Sequence, residues 1–133
     1  MRISRAFVDQ IIQHAREDFP NECCGIVGTQ NGTAMHVYPA ENIHHSPTRF
    51  EIDGRDVIRV MSEVEGKGWE LGSIYHSHTK TAAYPSQTDV NFAENWPGTV
   101  WLIVSLEDPD HPSVRLFEIE NGTIAERELA IDE

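Results

Sequence analysis

The run Thr99-Val-Trp-Leu-Ile-Val-Ser-Leu106 is the stretch that most constrains how this chain can fold. It carries no charge, and its apolar residues occupy both odd and even positions. A strand points successive side chains to opposite faces, so a run apolar at both parities must be covered on both sides. The fold class that meets this demand is α/β, a mixed β-sheet flanked by helices.

The remaining segments supply that cover. Ser4 is placed to cap a helix over Arg5–Asp18, in which Phe7, Val8, Ile11, Ile12 and Ala15 recur at helical spacing and form one apolar stripe. Phe19-Pro20 ends it. Asp53 caps a second helix over Gly54–Glu65, with Val57, Ile58, Met61 and Val64 expected inward, and Gly66-Lys-Gly68 stops it. A third, short helix is expected over Gln87–Asn95, ended by Trp96-Pro97-Gly98.

Strands fill the intervals. Cys24–Gly28 reads as a short buried strand, and Asn31-Gly32 is a hairpin signal leading into Thr33–Tyr38. A polar loop, Pro39–Pro47, precedes a short strand expected at Arg49–Ile52, and Trp69–Tyr75 is another strand. Val114–Ile119 and Thr123–Leu129 flank Asn121-Gly122, a second hairpin, and the acidic last residues are expected to fray. With no repeat, linker or low-complexity tract, residues 1–133 read as a single domain.

Charge and cysteine content narrow the partners. Ten basic against 22 acidic residues leave a net charge of −12, which argues against nucleic acid or an anionic membrane surface. No apolar run approaches the ~20 residues of a membrane span, and the N-terminus lacks a signal-peptide core, so a cytoplasmic location is expected. Cys23 and Cys24 are adjacent and poorly placed to bridge each other, so they read as reduced, core-filling thiols.

The chemistry concentrates in Ser73–Asp89. His76 and His78 lie two apart on an expected strand end and so project the same way. Two converging imidazoles suit zinc, and the ten residues Thr79–Thr88 leave room for the chain to return with Asp89 as an oxygen ligand. Three protein ligands leave a fourth position open, as catalytic zinc requires. Ser86-x-x-Asp89 is equally a helix-capping arrangement, and the two readings are compatible: the helix start presents Asp89 while Ser86 sets the turn. His44 and His45 are neighbours, so in an extended chain they face opposite ways and make a poor chelate.

The pattern His76-Ser-His78, ten residues, Asp89, with Pro85-Ser86 just before the helix, closely resembles the JAMM (MPN-plus) metalloprotease motif. That family also carries an upstream Glu in a Pro-x-Glu-x-Cys-Gly segment, which Pro20-Asn-Glu22-Cys23-Cys24-Gly25 matches. Thr79 stands where many members have Pro. The resemblance covers nearly the whole chain and implies a fold like the cytidine-deaminase-like α-β-α sandwich. It further implies Zn2+ held by His76, His78 and Asp89, with Glu22 as general base and then acid, and Ser86 donating to the developing oxyanion.

Ile74-Tyr-His-Ser-His-Thr79, Ala83–Val90 and Ser46-Pro-Thr-Arg-Phe50 are most similar to the Mec-type bacterial branch. Its members act on small ubiquitin-like sulfur-carrier proteins. They cleave the amide after the C-terminal Gly-Gly, releasing an amino acid such as cysteine or a short extension. A general peptidase or deubiquitinase-like isopeptidase is the rival enzyme reading, and a non-catalytic MPN interaction module the rival from another class. Such modules usually lose metal ligands, and this chain keeps the full set. A deaminase reading lacks its Cys-x-x-Cys ligand pair. The family pattern also admits a homodimer.

Overall fold

The computed structural model describes residues 1–133. The elements run β1 (Arg2–Ser4), α1 (Arg5–Asp18), β2 (Cys24–Gln30), β3 (Thr33–Ala40), α2 (Gly54–Gly66) and β4 (Glu70–His78), then α3 (Gln87–Ala93), β5 (Val100–Ser105), β6 (Ser113–Glu120), β7 (Thr123–Arg127) and β8 (Ala130–Asp132). All eight strands join one mixed sheet in the order β7-β6-β5-β4-β2-β3-β1-β8. The fold class expected from the sequence is therefore the one observed.

Two apolar layers sandwich the sheet. On one face Val8, Ile11 and Ala15 of α1 pack with Val27, Val37, Tyr75, Leu102 and Val104. On the other, Val60 and Val64 of α2 and Ala93 of α3 pack with Ile26, Ile74 and Trp101. β5 contributes to both layers, which is why its sequence is apolar at both parities. β5 lies between β4, to which it is parallel, and β6, to which it is antiparallel.

The close strand spacing also depends on small residues. Gly25 of β2 sits opposite Tyr75 of β4, and a Cβ there would come within 2.2 Å of the Tyr75 ring. Asn31 and Asn121 take positive φ with Gly32 and Gly122 after them, as both Asn-Gly turns require.

Four expectations are corrected, and one further strand had not been expected. Ile58 of α2 is 69% exposed. The inward stripe is Val57, Val60, Met61 and Val64, at i, i+3, i+4 and i+7, and Ile58 lies roughly 100° from Val57 around the helix. Arg49–Ile52 is not a strand, because its backbone is held by the Asn42 side chain and has no ladder neighbour. The chain end is ordered: β8 pairs in parallel with β1, and Ile131 packs on the α1 layer. Arg2 and Arg5 pair with Asp132 and Glu133, so the acidic end finds cations there. Finally, β1 itself, three residues ahead of α1, had no sequence signal and exists because β3 and β8 flank it. The short helix α3 also closes at Ala93, two residues sooner than expected.

Candidate metal centre

β4 carries its ladder through His76 and His78, so both imidazoles leave the same face, the one covered by α2 and α3. Ile74, on that same parity, lies in the apolar layer and marks its floor. The loop after β4 then returns to α3, whose first turn presents Asp89. Ser86 is the N-cap: its Oγ accepts from the Asp89 N–H at 3.1 Å, and the Ser86 N–H donates to Asp89 Oδ2 at 3.0 Å. This reciprocal pair is a capping box, and it fixes the direction of the Asp89 carboxylate.

Three donor atoms converge as a result. His78 Nε2 lies 2.9 Å from Asp89 Oδ2, His76 Nε2 lies 3.1 Å from the same oxygen, and the two Nε2 atoms are 3.2 Å apart. All three residues are buried. A tetrahedral ion bound at ~2.0–2.1 Å would separate its ligands by roughly 3.3–3.4 Å, so the triangle is close to closed around such an ion.

Tautomer logic gives the same answer. His78 Nδ1 lies 2.9 Å from the Ala82 carbonyl, which can only accept, so Nδ1 carries the hydrogen. In the neutral ring the Nε2 lone pair then points at a carboxylate and a second imidazole. Donor atoms arranged this way suit a shared cation. Burial alone would raise the Asp89 carboxyl, but His76, His78 and the Ser86 N–H outweigh it and hold the group well below the carboxylate range. Burial likewise lowers His78, but Asp89, the Ala82 carbonyl and the Glu22 charge together more than reverse it, so His78 ends above its ordinary value.

Glu22 reaches the same place from the other side. β2 is antiparallel to β4 with Cys24 opposite His76, and the Cys23 N–H donates to Ser77 Oγ at 2.8 Å. Glu22 therefore stands one step beyond the ladder, beside His78. It is only 4% exposed, far from the solvated loop acid that Glu usually becomes, and its Oε1 has no hydrogen-bond partner. Burial first, and the nearby Asp89 charge second, push its carboxyl up to about 8 against a smaller opposing effect of His78. Glu22, His78 and Ser86 line one cleft of about 400 Å³, together with Lys80. The five residues singled out in the sequence are thus gathered at one place, with His76 fully buried beneath them.

Other candidates resolve differently. Cys23 and Cys24 are buried free thiols, and burial pushes Cys23 up to about 12, which leaves it an inert core residue. His44 pairs with Glu51 at 2.9 Å and His45 with Glu41 at 3.3 Å, and neither joins the His76–His78–Asp89 group. Three groups around the site were given no role by the sequence, although Phe50 closes the Ser46–Phe50 stretch that carries the branch resemblance. The Ala82 carbonyl is backbone. Phe50, whose ring lies on His76, and Asn42, which ties the preceding loop to Glu22, owe their places to a loop with no periodicity.

Residues 4–119 match the family of prokaryotic homologs of the JAB domain. The CysO-cysteine peptidase of Mycobacterium tuberculosis is 34% identical over 129 residues, covering 95% of this chain and 87% of that protein. A Desampylase of Haloferax volcanii is 34% identical over 104 residues, or 73% of this chain and 74% of its own length. A solution structure from Desulfitobacterium hafniense superposes with a TM-score of 0.90 at 31% identity, over 99% of this chain and 92% of that one. A JAB1/MPN domain protein from Archaeoglobus fulgidus shares the fold, with a TM-score of 0.63 at 19% identity and full coverage of both chains.

The chain belongs to the JAMM family, among the prokaryotic JAB-domain proteins. It is a hydrolase of the JAMM type.

Proposed function

We propose that this protein is a zinc metallopeptidase, one domain over residues 1–133, that hydrolyses the amide bond after the C-terminal Gly-Gly of a small ubiquitin-like sulfur-carrier protein. The released group is an amino acid such as cysteine or a short extension. The observation that carries the hydrolytic reading is the buried Glu22, its Oε1 without a hydrogen-bond partner, in one cleft with His78 of the His76–His78–Asp89 triangle. The substrate class is supported by the relative named CysO-cysteine peptidase, aligned over 95% of this chain.

His76, His78 and Asp89 would hold Zn2+, which supplies Lewis acidity and lowers the pKa of water toward ~7. Glu22 takes a proton from the attacking water and delivers it to the leaving nitrogen. Without the cation, burial raises this carboxyl; a positive charge held by His76, His78 and Asp89 beside it would favour the ionised form that accepts the proton. The Ser86 hydroxyl, free to rotate its hydrogen into the cleft, donates to the oxygen on which negative charge develops. The carrier's tail enters as an extended chain beside Glu22 and Ser86.

Incubating the zinc-loaded protein with a sulfur carrier extended by one cysteine after Gly-Gly, and following intact mass, tests this. Loss of one residue, blocked by a chelator and absent in Glu22→Gln, is the expected result. An intact carrier would overturn the substrate assignment. The relative named Desampylase supports a second reading, isopeptidase action on a carrier joined to a lysine side chain, and a carrier–lysine conjugate in the same assay separates the two.

A further inference from the structure

The two histidines of the triangle are held in different ways. His78 has the Ala82 carbonyl on Nδ1, the usual way an imidazole ligand is oriented. His76 Nδ1 is buried and finds no hydrogen-bond partner among the protein's groups. What His76 has instead is Phe50, stacked on its ring with centroids 4.4 Å apart and planes 21° from parallel. Phe50 is itself wedged: Phe92 of α3 lies edge-on at 5.0 Å and Trp101 of β5 at 6.5 Å.

Phe50 arrives there on an irregular loop whose shape depends on one side chain. Asn42, 4% exposed, donates to the Glu22 carbonyl at 3.1 Å and the Arg49 carbonyl at 2.9 Å. Its Oδ1 accepts from the His44 N–H at 3.1 Å and the Glu51 N–H at 3.3 Å. With one backbone bond, Ile43 N–H to the Glu51 carbonyl at 3.1 Å, this amide stands in for the ladder that the residues around Phe50 lack.

We infer that Phe50 is a positioning residue for His76, taking by ring stacking the orienting role that a hydrogen bond plays for His78, and that Asn42 holds Phe50 in place. This rests on the reading of His76, His78 and Asp89 as metal ligands. A flat ring against a flat ring restricts rotation about the His76 side-chain torsions while leaving Nε2 directed at Asp89. An aliphatic residue of similar volume fills the same space without that restriction. It would keep the fold and loosen the ligand.

The experiment measures Zn2+ affinity by competition with a chromophoric chelator, and the visible spectrum of the Co2+-loaded protein, with no substrate present. Phe50→Leu is expected to bind Zn2+ 10–100-fold more weakly and to shift the Co2+ bands, as loss of an orienting partner does elsewhere. Phe50→Tyr, which keeps the ring at a position lining the pocket beside α3, should return within about threefold of the parent protein. Asn42→Ala should weaken binding similarly, and the Asn42/Phe50→Leu double variant no further, because both act through one ring. Val60→Ala, in the same apolar layer, should lower the melting temperature while leaving affinity and spectrum alone. Wild-type affinity and spectrum in Phe50→Leu would overturn the inference, as would a defect that Phe50→Tyr fails to repair. A parent protein that binds no metal would instead remove the metal-centre reading, and this inference with it.

Discussion

His78 and Asp89 meet at 2.9 Å, Nε2 to Oδ2, in the buried floor of the cleft, each fixed from behind by a hydrogen bond. The Ala82 carbonyl sets the His78 tautomer, and the Ser86 N–H sets the carboxylate. These bonds hold both groups so that the pair presents two lone pairs to a common point. Such preorganisation strengthens binding because little ordering remains to be done when the ion arrives.

Removing His78 should therefore abolish tight metal binding and hydrolysis together. In His78→Ala, only Asp89 and His76 remain, and the expected zinc content after dialysis falls from about one equivalent to a small fraction. Metal analysis beside the carrier-cleavage assay checks it. A full equivalent in the variant would show that the ligand set is different.

Glu22→Gln separates binding from chemistry. The amide keeps the size of the side chain but cannot accept a proton, so zinc content should stay near one equivalent while kcat drops roughly 10²–10⁴-fold. Equal turnover in the two proteins would refute Glu22 as the base.

Ser86→Ala removes both the helix cap and the hydroxyl in the cleft. Losing the cap should cost about 1 kcal/mol of stability. Losing a donor to the developing oxyanion should lower kcat by roughly 10²–10³-fold, with KM little changed. Ser86→Thr, which keeps both functions, should recover most of each, and steady-state kinetics with thermal melts distinguish the two losses.

The raised Glu22 carboxyl predicts a pH dependence for the metal-free protein. Its pKa is about 8 when folded and 4.5 when unfolded, so between those values the folded state retains a proton that the unfolded state has released. Unfolding is then favoured as pH rises, and stability should decline from about pH 5 to pH 8. The difference between parent and Glu22→Gln isolates this group from His78, whose elevation acts in the same direction. Denaturant melts of both proteins at several pH values should show Glu22→Gln losing less stability across the window. Parallel curves would mean that Glu22 is not desolvated.

The corrected α2 face gives a stability contrast. Ile58→Lys, at a largely exposed position, should change the unfolding free energy by less than about 0.5 kcal/mol. Val64→Ala, fully buried against the sheet, should cost about 2 kcal/mol through lost burial and the cavity left behind.

Much of this molecule was legible in order along the chain, because it depends on local rules. The apolar Val100–Ser105 strand, the capped helices α1 and α2, both Asn-Gly turns and the His76/His78 parity follow from side-chain period, capping and turn chemistry within a few residues. The family motif extended that reading to Glu22 and Ser86. Tertiary structure alone decided the rest. The face of α2 that meets the sheet left Ile58 outward, and β3 and β8, one on each side, made a strand of Arg2–Ser4. Desolvation, a property of what surrounds a group rather than of the group, raised the Glu22 carboxyl. The Ala82 carbonyl on His78 and the Phe50 ring on His76 likewise arise where distant segments meet, and no residue-by-residue periodicity encodes such a meeting.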